Sequence, residues 1–221
     1  MKTAVVFLLM WFGVSAQTFQ FDRLTTYNVS RKEIKQDRIA LSKVGNSSYF
    51  MRLYKEGSEL KAAIDEMDKR ISHYFNVKET KNTKGKKEMK FTYLRTESYK
   101  NWPIPEKTYF AFETLVQDSS QSTVNLLLYK NEKKKKPKSR IALKFNKAES
   151  PRFALYRYCC FHPNESEVAF DSEIPGIVES SVNETSGMVC RLISDEIVAL
   201  EVILPANLNH VERQPIKVFT N

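Results

Sequence analysis

The chain has 221 residues, with 35 Lys plus Arg against 26 Asp plus Glu, a formal net charge of +9 at pH 7. Hydrophobic residues make up 42% and charged residues 28%, which excludes a disordered chain, and six Gly with eight Pro exclude a collagen-like or low-complexity linker.

Lys2 precedes an unbroken apolar run, Ala4 to Phe12, and Val14-Ser15-Ala16 presents small residues where a signal peptidase reads. Residues 1–16 therefore read as a secretory signal peptide, because the run falls far short of the roughly 20 apolar residues of a membrane span. The mature protein is expected to begin at Gln17, to be secreted and extracellular, and to have no membrane span.

Residues 17–57 read as an N-terminal extension of uncertain structure. Within it, Ser30-Arg-Lys-Glu33 matches a capping box opening a helix over 31–44 with Gly45-Asn46 as its stop. Arg38 to Val44 also reads as one arm of a hairpin turning at Gly45-Asn46. Both readings stand.

From residue 58 a helix followed by an antiparallel β domain is expected, in one globular domain overall. The helix spans Glu59 to Phe75: Leu60, Ala63, Ile64, Met67, Ile71, Tyr74 and Phe75 fall at offsets 0, 3, 4, 7, 11, 14 and 15, one face of a 3.6-residue period. From Lys86 the period switches to two, with Met89, Phe91 and Tyr93 alternating with Lys90 and Thr92. Further strands are expected at Tyr109–Val116, Val124–Lys130, Arg140–Phe145, Phe153–Phe161, Met188–Ile193, Ile197–Leu204 and Ile216–Phe219, with a long loop over Pro163–Gly187. The fold class is mainly β (α+β), an antiparallel meander of about eight strands, curled or closed into a barrel, with the amphipathic helix packed on it.

The stretches Leu60-Lys-Ala-Ala63 and His73-Tyr-Phe-Asn-Val-Lys-Glu-Thr80 are similar to the helix and helix exit of arthropod salivary lipocalins of the tick histamine-binding type. The similarity covers about a fifth of the chain. Departures are plain: there is no Gly-x-Trp at the first strand, Trp102 sits in Asn-Trp-Pro-Ile-Pro, and most of the family's paired cysteines are missing. What the resemblance implies is a lipocalin-like barrel with a cavity for a small molecule; no ligand residue is carried over. The competing fold is a cystatin-like helix on a sheet, without the family's Gln-x-Val-x-Gly turn.

Three cysteines remain in the mature chain: Cys159, Cys160 and Cys190. In an oxidising compartment one disulfide is expected, Cys160 to Cys190 with Cys159 as the alternative partner, because adjacent residues on the expected strand point to opposite faces. The leftover thiol is either buried as a small hydrophobe or paired between chains. Four N-x-Ser/Thr sequons, at Asn28, Asn46, Asn164 and Asn183, are the expected glycosylation sites, on solvent-facing loops.

Charge is unevenly placed. Residues 130–147 hold nine bases and one acid, whereas residues 165–201 hold nine acids and one base. The basic run lies between two expected strands and reads as a hairpin tip, with Pro137 at the turn. Lys133, Lys134, Lys135, Lys136, Lys138 and Arg140 form a candidate anion site for a glycosaminoglycan, acidic lipid or acidic protein, against the plainer reading of a solvated loop that keeps a sheet edge soluble. Nucleic acid is disfavoured by the compartment and by the absence of aromatic interleaving.

The three histidines, His73, His162 and His210, sit in no metal or hydrolase motif, and no phosphate or dinucleotide loop is present. No catalytic residue, metal or cofactor is assigned, and the chain is expected not to be an enzyme. Two functions remain: binding of a small-molecule ligand in a β-barrel or sheet cavity, and extracellular interaction with an anionic polysaccharide or acidic partner through the 130–147 hairpin.

Overall fold

The computed structural model describes residues 17–81, 87–99, 109–133, 136–161 and 172–212. Along the chain the strands are β1 (Thr18–Arg31), β2 (Ile34–Lys43), β3 (Asn46–Glu56), β4 (Glu59–Glu66), β5 (Ile71–Lys81), β6 (Lys87–Ser98), β7 (Tyr109–Gln117), β8 (Gln121–Tyr129) and β9 (Pro137–Asn146). The helix α1 (Phe153–Cys160) follows, then β10 (Ile177–Asn183), β11 (Val189–Ile203) and β12 (His210–Glu212).

All twelve strands form one sheet in the order β12-β6-β5-β4-β3-β2-β1-β11-β10-β9-β8-β7. Every pairing is antiparallel except that of β12 with β6. The fold is therefore mainly β, but the sheet has two ends, at β12 and β7, and is not closed into a barrel. It does curl. β1 and β5 lie four strands apart, roughly 19 Å on a flat sheet at about 4.8 Å per strand. Yet the rings of Phe19 and His73 have centroids only 5.7 Å apart. The long strands β1 and β11 pair with register shifts at Phe21/Arg23 and Thr26/Tyr27.

The two faces bury separate cores. Neighbouring residues show it: Ala40 and Phe50 belong to one cluster, Leu41 and Met51 to the other. The first cluster is organised by α1, which touches β1, β2, β3 and β10. Phe153, Leu155 and Tyr156 of α1 pack there with Tyr27, Leu126, Ile141 and Phe145. Tyr27 donates to the Val178 carbonyl at 2.7 Å and Tyr156 to Ser181 Oγ at 2.7 Å, so both buried phenols are satisfied. The second cluster fills the inside of the curl with Phe19, Phe21, Leu41, Met51, Ile64 and Phe75. Full burial of each large side chain contributes about 2 kcal/mol.

Several expectations are corrected. Glu59–Phe75 is not a helix but the β4–β5 hairpin, turning at Met67–Arg70 with Arg70 at φ 54°. Ala62, Ala63, Ile64, Asp65 and Glu66 are all buried, so β4 is covered on both faces and shows no alternation to read. Phe153–Cys160 is the reverse case: expected as a strand, it is the helix α1. Its apolar residues, interrupted only by Arg157, are buried nearly all round and have no period that separates helix from strand. Among the described residues the strand count is twelve rather than eight. Residues 17–57 supply β1, β2 and β3, with the hairpin at Gly45 (φ 76°) rather than a helix over 31–44. The two strands expected over 188–204 are one, β11, and the 163–187 loop contains β10. The expected strand at 216–219 lies outside the described residues. Among the described residues no helix is long and apolar enough to cross a membrane.

Candidate functional site

The basic run sits where the alternation placed it. β8 and β9 pair antiparallel from Gln121↔Asn146 to Tyr129↔Pro137, with a register shift at the last step. Pro137 has no N–H, so it ends the ladder where the chain turns. Lys133, Lys136, Lys138 and Arg140 are all exposed; Lys134 and Lys135 lie outside the described residues. Lys133, Lys136 and Lys138 have no ion pair among the described residues.

The acidic half of the chain reaches the base of this hairpin. β10 pairs with β9, and Arg140 Nε lies 4.0 Å from Glu184 Oε2, while the Glu184 N–H donates to the Arg140 carbonyl at 3.0 Å. Lys144 Nζ lies 3.0 Å from Glu179 Oε2, an ion pair without hydrogen-bond alignment. The Lys147 ammonium donates to the Asp118 carbonyl. Charge is thus partly neutralised along the stem, while Lys133, Lys136 and Lys138 are left without a compensating charge among the described residues. Exposed pairs of this kind contribute at most about 1 kcal/mol each, so they shape the field more than the stability.

The cysteines meet across the first core. Cys159 and Cys160 end α1, and Cys190 lies on β11 opposite Val29 and Ser181. All three are free, buried thiols. Cys160 holds the Cys190 thiol below its ordinary value against the opposing effect of burial, and Ser181 adds to the same lowering. Burial pushes Cys159 up to about 12.

The three sequons among the described residues occupy two settings. Asn28 is not on a loop: it lies within β1, half-buried, and its Nδ2 donates to Asp37 Oδ1 at 2.7 Å. Asn46 and Asn183 flank turns. Asn46 Oδ1 accepts from the Ser48 N–H at 2.9 Å, and Asn183 Oδ1 from the Thr185 and Ser186 N–H groups at 3.0 and 2.9 Å. Asn164 and His162 lie outside the described residues. His210 is exposed at the start of β12.

Two polar networks escaped the sequence reading, because both depend on the β4–β5 register. In one, buried His73 bridges Glu66 Oε1 at 3.0 Å and Thr96 Oγ1 at 2.8 Å, and the Tyr93 hydroxyl joins Thr96 at 2.8 Å. Glu66 Oε2 also receives Lys69 at 2.6 Å and Gln17 Nε2 at 2.9 Å. Burial would raise the Glu66 carboxyl, but hydrogen bonds from His73, Lys69 and Gln17 bring it down to about 2. This carboxylate borders an open cavity of about 260 Å³ that Phe19, Tyr49 and Asp68 also line. Both of its oxygens are engaged by donors. In the other network, Asp65 receives Arg52, Ser72 and Tyr158, while Glu97 receives Arg95 at 2.7 Å and Tyr99 at 2.9 Å. Among the described residues no group of three or more His, Cys, Asp or Glu side chains is placed to hold a metal. No protein-family model matches the chain, and no curated protein matches it.

Proposed function

We propose that the protein is a secreted binding protein that engages an anionic partner, a sulfated polysaccharide in the first instance, through the tip of the β8–β9 hairpin. The supporting observation is the distribution of ion pairs. Glu179 and Glu184 pair Lys144 and Arg140 on the stem, whereas Lys133, Lys136 and Lys138 project without a partner among the described residues. Clustered uncompensated ammonium groups raise the local concentration of anions and speed their association. Leu126, Ile141 and Leu143 root the hairpin stem in the α1 core, and Lys133, Lys136 and Lys138 beyond it are exposed.

Immobilised heparin tests this reading. Wild-type protein is expected to be retained and to elute with rising salt, because screening shortens the reach of charge from about 10 Å at 0.1 M to about 3 Å at 1 M. Replacing Lys133, Lys134, Lys135, Lys136 and Lys138 by Ser should remove most retention with the melting temperature nearly unchanged, since exposed substitutions alter stability by about 0.5 kcal/mol or less. Glu184→Gln should strengthen retention by freeing Arg140. Equal retention of the Ser variant and the wild type would defeat the proposal.

A second reading, a small ligand held by the sheet, draws on the cavity beside Glu66 and Tyr49. The inside of the curl is filled by Leu41, Met51, Ile64 and Phe75, so such a ligand sits at the rim, among polar groups.

A further inference from the structure

We infer that the anion site continues from the hairpin tip down the face of the sheet opposite α1, along Lys138, Arg140 and Lys144 of β9 to Arg191 of β11. Its ligand is then an extended sulfated chain rather than a single anionic group. The inference rests on the hairpin reading and goes beyond it, because Arg191 belongs to no basic run: it is the one base among residues 165–201. Register places it. Cys190 and Leu143 face the α1 core, in one row with Ser181, which accepts from Tyr156. Successive side chains of a strand point to opposite faces, so the next row, Arg191, Ser180 and Lys144, faces away from α1. The same alternation along β9 sets Ile141, Leu143 and Phe145 in the core and Lys138, Arg140, Ala142 and Lys144 on the opposite face.

This lane is open and carries its bases at intervals. Lys138, Arg140 and Arg191 are exposed, and Arg191, like Lys138, has no ion pair among the described residues. Lys138 and Lys144 stand about 20 Å apart along β9, and Arg191 lies two strands from Lys144, about 10 Å away. Groups so spaced cannot converge on one sulfate or phosphate, whereas a linear polymer with repeated anionic groups meets them in turn. The side chains between them, Ala142, Ser180 and Val182, are small and uncharged. The nearest acids are engaged: Glu179 pairs with Lys144 at 3.0 Å, and Glu184 lies 4.0 Å from Arg140. Beyond Arg191 the row continues to Asn28 and then Asp37, which accepts from the Asn28 amide at 2.7 Å. Asn28 belongs to a sequon, so a glycan there would cover the Arg191 end of the lane. Asn183 lies in the row of Ile141, on the α1 side, and a glycan there leaves the lane open.

The test is calorimetric titration of the full chain, expressed through a eukaryotic secretory pathway, with a heparin tetrasaccharide and a heparin dodecasaccharide. Arg191→Glu should weaken dodecasaccharide binding severalfold and flatten its dependence on salt, because one fewer contact releases condensed counterions. The tetrasaccharide, held at the tip, should bind this variant as it binds the wild type. Lys78→Glu makes the same change in net charge at an exposed position on β5 and should alter neither affinity. Arg191→Gln should act in the same direction as Arg191→Glu but less, and unchanged melting temperatures would show that both variants fold. Undiminished dodecasaccharide binding by Arg191→Glu, or a loss shared equally by the two fragments, would overturn the inference and leave the tip site standing. A glycan found on Asn28 by peptide mapping of the secreted chain would overturn it as well. Undiminished tetrasaccharide binding after replacement of the five tip lysines by Ser would instead remove the tip site, and this extension with it.

Discussion

Arg152 grips Asp195 through both nitrogens of its guanidinium fork, with Nη1 2.6 Å from Oδ2 and Nη2 2.8 Å from Oδ1. Nη2 also reaches Thr25 Oγ1 at 3.2 Å, so the residue before α1 is tied to β1 and β11 together. Burial would raise the Asp195 carboxyl, but Arg152 and Thr25 hold it below its ordinary value. Arg152 is 8% exposed, and removing its partner strands a desolvated cation. Asp195→Asn should therefore cost about 3 kcal/mol in denaturant unfolding. The double change Arg152→Met with Asp195→Leu should cost less than Asp195→Asn alone, because no buried charge is left unpaired; Arg23, 3.9 Å from Asp195, keeps 31% of its side chain in solvent. A loss below about 1 kcal/mol for the single variant would mean that water reaches the pair.

Glu66 gives acid sensitivity a defined window. Its carboxyl is held at about 2 against an ordinary 4.5, so the folded form binds its proton less readily than the unfolded chain. The stabilisation is fully present above pH 4.5 and fades as pH falls towards 2. Melting temperatures of wild type and Glu66→Gln should thus differ most at neutral pH and converge across that interval. A gap that stays constant from pH 7 to pH 2 would show that Glu66 contributes through shape rather than charge.

Gly176 separates two kinds of glycine. Its φ is +140°, and an added Cβ would stand 2.4 Å from the Asn146 carbonyl oxygen, at the end of β9. The same residue accepts from the Arg152 N–H at 2.9 Å and donates to the Ser150 carbonyl at 3.1 Å, so it cannot retreat. Gly176→Ala should cost more than about 2 kcal/mol by strain and overpacking. Gly57→Ala, where φ is +61° and nothing lies within 4 Å, should cost only about 1 kcal/mol for the left-handed backbone. Equal effects at the two sites would contradict the close approach at Asn146.

The β8–β9 hairpin and its lysine tip were legible in the sequence because each signal is local. Val124, Leu126 and Leu128 alternate towards one core, Pro137 marks the turn, and a run of like charge needs no partner to be seen. The β4–β5 hairpin was not. Both faces of β4 are covered, and a strand of Glu, Leu, Lys and Ala carries helical propensity that the surrounding sheet overrides. With that hairpin read as a helix, the diagonal pairing of Glu66 with His73 had no geometry from which to be inferred. The cysteine expectation rested on strand alternation; α1 supplies a different geometry, the turn of a helix, for the contact with Cys190. The basic stem and its acidic neighbours were visible as opposite blocks, but only the β9–β10 register shows which charges cancel.

Lysine acylation footprinting, with and without heparin, tests most directly that the hairpin tip is the anion site. Reactivity at each lysine is read by mass spectrometry on the intact fold. Lys133, Lys134, Lys135, Lys136 and Lys138 should lose reactivity severalfold in the bound state, while Lys32, Lys35, Lys55 and Lys78, exposed elsewhere on the sheet, should keep theirs. Protection spread evenly over all exposed lysines, or protection that spares the tip, would contradict the account.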